Sequence, residues 1–548
     1  MAAQANYNSW TKTGLIDRVK ELEAELKNRP APPPEPVPVE QPQDGGEPSD
    51  AQPKPKKPKG KRKMDPSKYS SRFIALKLAY LGKNYGGFEF QAMGNQPSIE
   101  EELWNALTKA CLIFPEDDRV VQWDCCEYSK CGRTDRGVSA FGQVIGIRVR
   151  SNRPLPKEPI QDEQQPTADG EEEAEAKPEK PFDPIRDEIA YPRVLNRLLP
   201  PDIRILAWCP SPPPDFSARF SCRERQYRYF FTQPAFSPEA SASTEGVKTG
   251  WLDIDAMRDA AKRYEGEQDF RNVCKIDPAK LITNWKRTIF ESDIVEVKDV
   301  NSALPYLKAQ GFAPESMKND EGVYPKVYYF HVRGSAFLWH QIRHMVALLF
   351  LVGQGLEKPS LISEILDVEK NPAKPAYVMA DEVPLVLWDC IFPDLSQAVE
   401  STSAGQSFED IMQWVYVGDE GSAQGKLAQF GPHGLMDSMW QHWREKKMDE
   451  LLSNRLLQHV AEQITAQDFS LVENKKLNAN ASVRAYEGGN TGRLVGKYVP
   501  VMKKAMMESP EVQNDRYARR KGFADAEDMR AQRNARGEEE DVTMEEKP

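Results

Sequence analysis

The chain of 548 residues allows two to four domains, and its hydrophobic share of 39% is enough to bury a core. The net charge of -11 comes from two acidic runs: residues 161–180 carry eight acids and two lysines, residues 538–548 six acids and one lysine. Both runs lack apolar periodicity, so the acidic balance does not exclude a nucleic-acid partner. No run reaches 18 apolar residues, which argues against a membrane partner, and the N-terminus lacks the apolar core of a signal peptide. Eight cysteines in so long a chain are no disulfide framework and read as reduced thiols of the nucleus or cytoplasm. Cys125, Cys126 and Cys131 lie close in sequence, but no C-x-x-C pair exists, so no metal is expected.

Leu15, Val19, Leu22 and Leu26 predict a short amphipathic helix over 13–28. Residues 30–63 are Pro-rich, then Lys-rich, and cannot pack a core. The run from Lys54 to Lys63 holds seven cations and no acid; it is a nuclear-import or RNA-contact segment, or a solubilising tail. Ordered sequence begins near Arg72, where Ile74, Leu76, Leu78 and Tyr80 alternate as a strand. Ser98 and Glu101 form a capping box that opens a helix. Ile145, Ile147 and Val149 mark the next strand. Residues 151–186 read as a disordered acidic insertion. A short helix at 191–200 and strands at about 203–208, 225–232, 288–298 and 324–333 follow. Phe337–Val352 is nearly uncharged and predicts a buried helix. Residues 407–470 read as partly helical, and the chain from about 505 as charged and loose. Strands and helices mix without a βαβ rhythm, which predicts an α+β fold with a largely antiparallel sheet. The expected division is 1–71 (helix and tail), 72–208 and 209–393 (two catalytic lobes), and 394–548 (a C-terminal extension with a disordered acidic end).

Three segments could carry chemistry. Residues 131–140, CGRTDRGVSA, place Asp135 between Arg133 and Arg136 in a glycine-containing turn. This is either a surface turn with a salt bridge or a rigid platform for a carboxylate kept ionised by its neighbours. Residues 218–229 interleave Arg219, Arg225 and Arg228 with Tyr227 and Tyr229. That pattern suits an edge strand with core aromatics, or cations for phosphates and a π-face for an unstacked base. Arg343 lies in the apolar helix and must find an anion, for which Asp135 is the expected partner. His340 and His344 form H-x-x-x-H, but Gln341 replaces the glutamate of a zinc protease, so both read as core or RNA-facing histidines. No P-loop, dinucleotide fingerprint or G-x-S-x-G is present, which removes the usual signs of phosphoryl transfer, nicotinamide redox and serine hydrolysis.

The stretch GRTDRGVSA resembles the catalytic-loop motif of the TruA family of tRNA pseudouridine synthases. The likeness continues in order through YLGKNYGGF (80–88), LNRLLPPDI (195–203), ARF (218–220), RQYRY (225–229), Phe337 to Arg343, and PLVL (384–387). Cys131, the segment DFRNVCK ending at Lys275, and GRLVGKYVP (492–500) are similar to the eukaryotic tRNA pseudouridine(38/39) synthase branch. Gln268 stands where that branch has histidine, and Val273 where it has an aromatic residue. The resemblance implies a two-lobed pseudouridine synthase fold with a continuous antiparallel sheet, helices packed on it and a central basic cleft. It implies isomerisation of uridine in the tRNA anticodon stem-loop, without metal or cofactor, by a homodimer in the nucleus or cytoplasm. Asp135 would carry the chemistry, Arg343 would pair with it and Tyr227 would stack on the flipped uracil. Arg133, Arg136, Arg219, Arg225 and Lys275 would hold the RNA. Two other readings remain: a synthase of the same fold acting on other uridines, and a tRNA-binding protein without turnover, which could dispense with Asp135.

Overall fold

The computed structural model describes residues 64–91, 95–116, 121–155, 181–238, 246–298, 325–394, 408–463 and 483–535. The expected N-terminal helix, the Pro- and Lys-rich segment, residues 156–180 of the acidic insertion and the acidic end lie outside the described residues. Among the described residues, no helix is long and apolar enough to cross a membrane.

The framework is one ten-stranded sheet. Its strands are β1 (Ser70–Tyr80), β2 (Ser129–Lys130), β3 (Ser139–Ser151), β4 (Ile203–Cys209), β5 (Glu224–Gln233), β6 (Gly266–Asp269), β7 (Lys286–Glu296), β8 (Lys326–Gly334), β9 (Leu385–Ile391) and β10 (Val415–Tyr416). The order across the sheet is β10-β4-β1-β3-β9-β5-β8-β7-β6, with β2 paired to β3. The α+β expectation agrees with this mixed architecture. The expectation of a continuous antiparallel sheet needs one correction: β3 and β9 pair in parallel, Ser139 with Val386 and Ala140 with Leu387. Parallel neighbours need a long connection, and here most of the chain between 151 and 385 supplies it. That junction lays Tyr80, Ala140, Leu387, Tyr227 and Val332 in one row across five strands.

Local sequence explains the helices around the sheet. Helix α1 (Ile99–Lys109) starts with the expected capping box: the Glu101 amide donates to Ser98 Oγ at 3.1 Å, and the Ser98 amide to Glu101 Oε2 at 3.4 Å. Its face of Ile99, Leu103, Trp104 and Leu107 is buried. Short helices α2 (Tyr191–Asn196) and α3 (Ile254–Lys262) follow. Helix α4 (Gln341–Gly353) is buried at every residue, as its composition requires. It begins four residues later than Phe337 because His340 takes a left-handed conformation, φ 58°, and ends the loop that precedes the helix. Gln341 holds that loop, its side-chain oxygen accepting from the Leu338 amide at 2.8 Å.

Two hydrophobic clusters result. One gathers β1, β3, β4 and α1; the other gathers β5, β8, α3 and α4. Tyr227 packs against both. Beyond β9, α5 (Leu361–Leu366) having preceded it, come α6 (Ala423–Phe430), α7 (Leu435–Glu462), and a hairpin of β11 (Val483–Ala485) and β12 (Arg493–Val495). The chain after 505 is not loose as far as residue 535. It forms α8 (Pro510–Arg520) and α9 (Ala526–Ala535), whose Ala518, Ala526 and Met529 bury against Leu281. Arg533 adds a hydrogen bond to the same region, donating to the Ala279 carbonyl at 2.8 Å.

Candidate active site

The loop Cys131–Val138 enters β3 and is held by backbone and buried side chains. The Cys131 amide donates to the Val144 carbonyl at 2.9 Å, and Gln143 Nε2 to the Gly132 carbonyl at 2.8 Å. The Thr134 and Tyr80 hydroxyls share a hydrogen bond of 2.7 Å, and the Thr134 carbonyl accepts from the Phe88 amide at 3.1 Å. Gly137 has φ +79°, and a Cβ there would come within 2.6 Å of Glu382 Cγ, so the turn closes on glycine alone. Asp135 therefore sits on a platform whose backbone is fixed from both sides.

Asp135, Tyr227 and Arg343 line one cavity of about 1730 Å³, together with Arg133, Arg136, Arg219 and Arg225. The loop runs into β3, and Tyr227 of β5 is the cross-strand partner of Leu387 on β9, the strand that pairs in parallel with β3. Tyr227 is partly buried and meets Phe337 edge-on at 5.2 Å between ring centroids. Burial, helped by the neighbouring Cys390, holds its phenol above the ordinary range, so the hydroxyl carries its proton. Tyr229, two residues on, is 0% exposed and its hydroxyl donates to the Gly488 carbonyl at 3.3 Å; it belongs to the core.

The expected pair between Arg343 and Asp135 does not form. Arg343 Nη2 lies 2.7 Å from Glu382 Oε2, and its Nε donates to the Ala380 carbonyl at 2.8 Å. A buried guanidinium in the first turn of α4 meets the segment before β9, which brings a carboxylate nearer than the loop does. Asp135 is instead gripped by the loop before α4. Trp339 Nε1 donates to Asp135 Oδ1 at 3.2 Å, and His340 Nε2 stands 3.4 Å from Oδ2. Sequence reasoning missed Trp339 and Glu382 and treated His340 as a core or RNA-facing residue. The one available signal was the density of polar and aromatic side chains in FLWHQ just before an apolar helix.

The remaining predicted residues divide. Arg133 and Arg136 are exposed, and Arg133 Nε pairs with Glu89 at 3.1 Å. The Arg219 guanidinium lies 5.3 Å from the ring of Phe220, an exposed aromatic. Arg225 turns inward, donating to the carbonyls of Ser335, Cys131 and Arg219 at 2.8, 3.0 and 3.2 Å. It braces the loop from beneath. Lys275 places its ammonium 4.1 Å from the Trp339 ring and its amide donates to the Trp339 carbonyl at 2.8 Å, so it backs the indole that holds Asp135. His344 is buried behind the site beside Lys374 Nζ, 2.9 Å away; burial, then that cation, push its pKa well down and keep it neutral. Three cysteines from separate segments, Cys131, Cys222 and Cys390, bring their sulfurs within 4.8 Å of one another under the loop.

Comparison with known proteins gives this geometry a family. Residues 260–393 match the family model described as tRNA pseudouridine synthase. The tRNA pseudouridine(38/39) synthase of Mus musculus is 41% identical over 392 residues, covering 72% of this chain and 69% of that protein. The Saccharomyces cerevisiae protein of the same name is 38% identical over 392 residues, covering 71% and 72%. A tRNA pseudouridine synthase A of Methanothrix thermoacetophila is 29% identical over 325 residues, covering 59% and 84%. With such identity spread over most of both chains, and a carboxylate loop and a tyrosine lining one cavity, the chain belongs to the tRNA pseudouridine(38/39) synthase family.

Proposed function

We propose that this chain isomerises uridine to pseudouridine in tRNA, at positions 38 and 39 of the anticodon stem-loop. The reaction breaks the bond from ribose C1′ to uracil N1, turns the base and joins C1′ to C5. The C5 proton leaves to solvent and N1 gains one, so atoms and electrons balance without a redox partner. A base stacked in a helix hides the reacting atoms, so the nucleotide must be extruded into the cavity. Asp135 is the carboxylate that acts on the extruded nucleotide, and Tyr227 offers the flat face beside it. Arg343 with Glu382 forms the wall against Gly137.

The single observation that carries this reading is the meeting of Asp135 and Tyr227 in one cavity, from opposite sides of the parallel strand junction. Ten Lys or Arg side chains and five Asp or Glu line that cavity, which supports a basic cleft between two lobes, 72–208 and 209–393, with 394–548 as an extension. Arg133, Arg136 and Arg219 are the cations that meet phosphates there. The protein works as a homodimer, in the nucleus, the cytoplasm or both. Pseudouridine mapping of tRNA from cells lacking the chain tests the assignment. Positions 38 and 39 should revert to uridine, wild-type chain should restore them and Asp135→Ala should not. Restoration by Asp135→Ala would overturn the reading.

A further inference from the structure

We propose that Cys131, Cys222 and Cys390 form a thiolate site for a zinc-class divalent cation, seated behind the catalytic loop. Spacing along the chain hides it, because the three residues come from the loop before β3, the turn before β5 and strand β9. The fold brings all three sulfurs within 4.8 Å of one another. A tetrahedral zinc with bonds of about 2.3 Å needs sulfurs about 3.8 Å apart, so closing on the ion takes shifts of about 1 Å or less. All three thiols are free and buried, at 2%, 5% and 0% exposure. Soft thiolates in a dry setting select soft or borderline cations over magnesium or calcium.

Charge decides between cations. Arg225 is the cross-strand partner of Cys390 and donates to the Cys131 carbonyl at 3.0 Å. Its guanidinium hydrogen-bonds three carbonyl oxygens and, among the described residues, no carboxylate. Three thiolates around a divalent ion carry one net negative charge, which this guanidinium neutralises. A monovalent ion would leave a buried excess negative charge, which is costly. Binding as thiolates means that the protons the trio holds pass to solvent on loading. The fourth position falls to water from the cavity that Cys131 and Cys222 line.

The ion would tie three pieces of the site together. Cys131 lies four residues before Asp135, Cys222 shortly before Tyr227, and Cys390 three residues beyond Leu387 in the central row. This positioning role rests on the reading of Asp135 as the reacting carboxylate; metal binding itself does not. The test therefore reads the metal first and activity second. The full chain, purified with a non-thiol reductant and dialysed against zinc, should hold one equivalent by elemental mass spectrometry. Exchanged with cobalt, it should show near-ultraviolet thiolate-to-cobalt charge transfer. Cys390→Ser should weaken binding by more than the roughly 10–100-fold that losing an outer-shell partner costs. Cys125→Ser, at an exposed thiol outside the trio, should keep the ion. Sub-stoichiometric zinc after dialysis, or a wild-type cobalt spectrum without thiolate charge transfer, overturns the proposal without recourse to any variant. Full binding by both Cys390→Ser and Cys222→Ser does the same.

Discussion

The pairing of Arg343 with Glu382 rather than Asp135 makes a quantitative prediction. The Arg343 side chain is 8% exposed and that of Glu382 is 31% exposed. At an effective dielectric of about 20, charges about 4 Å apart attract by about 4 kcal/mol. Water reaches Glu382, so screening reduces this to about 2 kcal/mol. The two partners are not equivalent. Glu382→Ala leaves a buried guanidinium with one carbonyl bond, the Ala380 contact, and falls toward the penalty of about 3–5 kcal/mol for a stranded buried charge. Arg343→Met keeps most of the volume and leaves a carboxylate that water can solvate, at a cost of about 1–2 kcal/mol. Thermal unfolding of the two variants should therefore rank Glu382→Ala as the less stable. The double variant should recover about 2 kcal/mol of coupling in a mutant cycle, while the same cycle between Arg343 and Asp135 should show coupling within about 0.5 kcal/mol. A reversed ranking, or strong coupling between Arg343 and Asp135, would refute the assignment of the pair.

Four further outcomes follow from the geometry and the electrostatics. Trp339→Phe removes the indole donor from Asp135 but keeps an aromatic ring; a hydrogen bond to a charged group is worth about 1.5–3 kcal/mol, so kcat should fall about 10- to 100-fold with tRNA affinity little changed. An unchanged kcat would remove Trp339 from the support of Asp135. Tyr227→Phe should bind tRNA normally and turn over about a hundredfold more slowly if its hydroxyl moves a proton, and at the wild-type rate if the ring alone matters. Tyr229→Phe loses one long buried hydrogen bond, costing about 1 kcal/mol of stability and no activity; a crippled Tyr229→Phe enzyme would transfer the role to that residue. Burial lowers the Lys374 pKa to about 8, below its ordinary 10.5, so the unfolded chain binds more protons between these values. This contribution to stability grows as pH rises through that window and is lost as pH falls toward 8. The melting temperature of wild type minus that of Lys374→Met should climb from pH 8 to pH 10, and a flat difference would show the ammonium to be solvated.

Most of the individual elements were legible in the sequence because their causes are local. The capping box at Ser98 and Glu101 needs four residues to specify it, and the two-residue alternation of Ile74 to Tyr80 needs seven. The glycine-flanked carboxylate loop and the aromatic strand carrying Tyr227 were visible for the same reason. The helix after Phe337 was legible in type but not in its start, since a left-handed His340 is a backbone choice stabilised by neighbours that the sequence does not place.

What only the tertiary structure decided concerns partners distant in the chain. A lone arginine and a lone aspartate suggested one another, yet Arg343 takes Glu382 while Asp135 takes Trp339 and His340. Electrostatic need is specified by residue type, but which opposite charge arrives first depends on the order of strands. Here one parallel junction, β3 with β9, sets that order, and no periodicity in either strand encodes its direction. The same junction gathers Cys131, Cys222 and Cys390, whose spacing in sequence suggests nothing. Sequence alone determined that a carboxylate, a tyrosine and buried cations would be present; packing across the sheet determined which of them touch, because side-chain interactions act over a few ångströms in space regardless of distance along the chain.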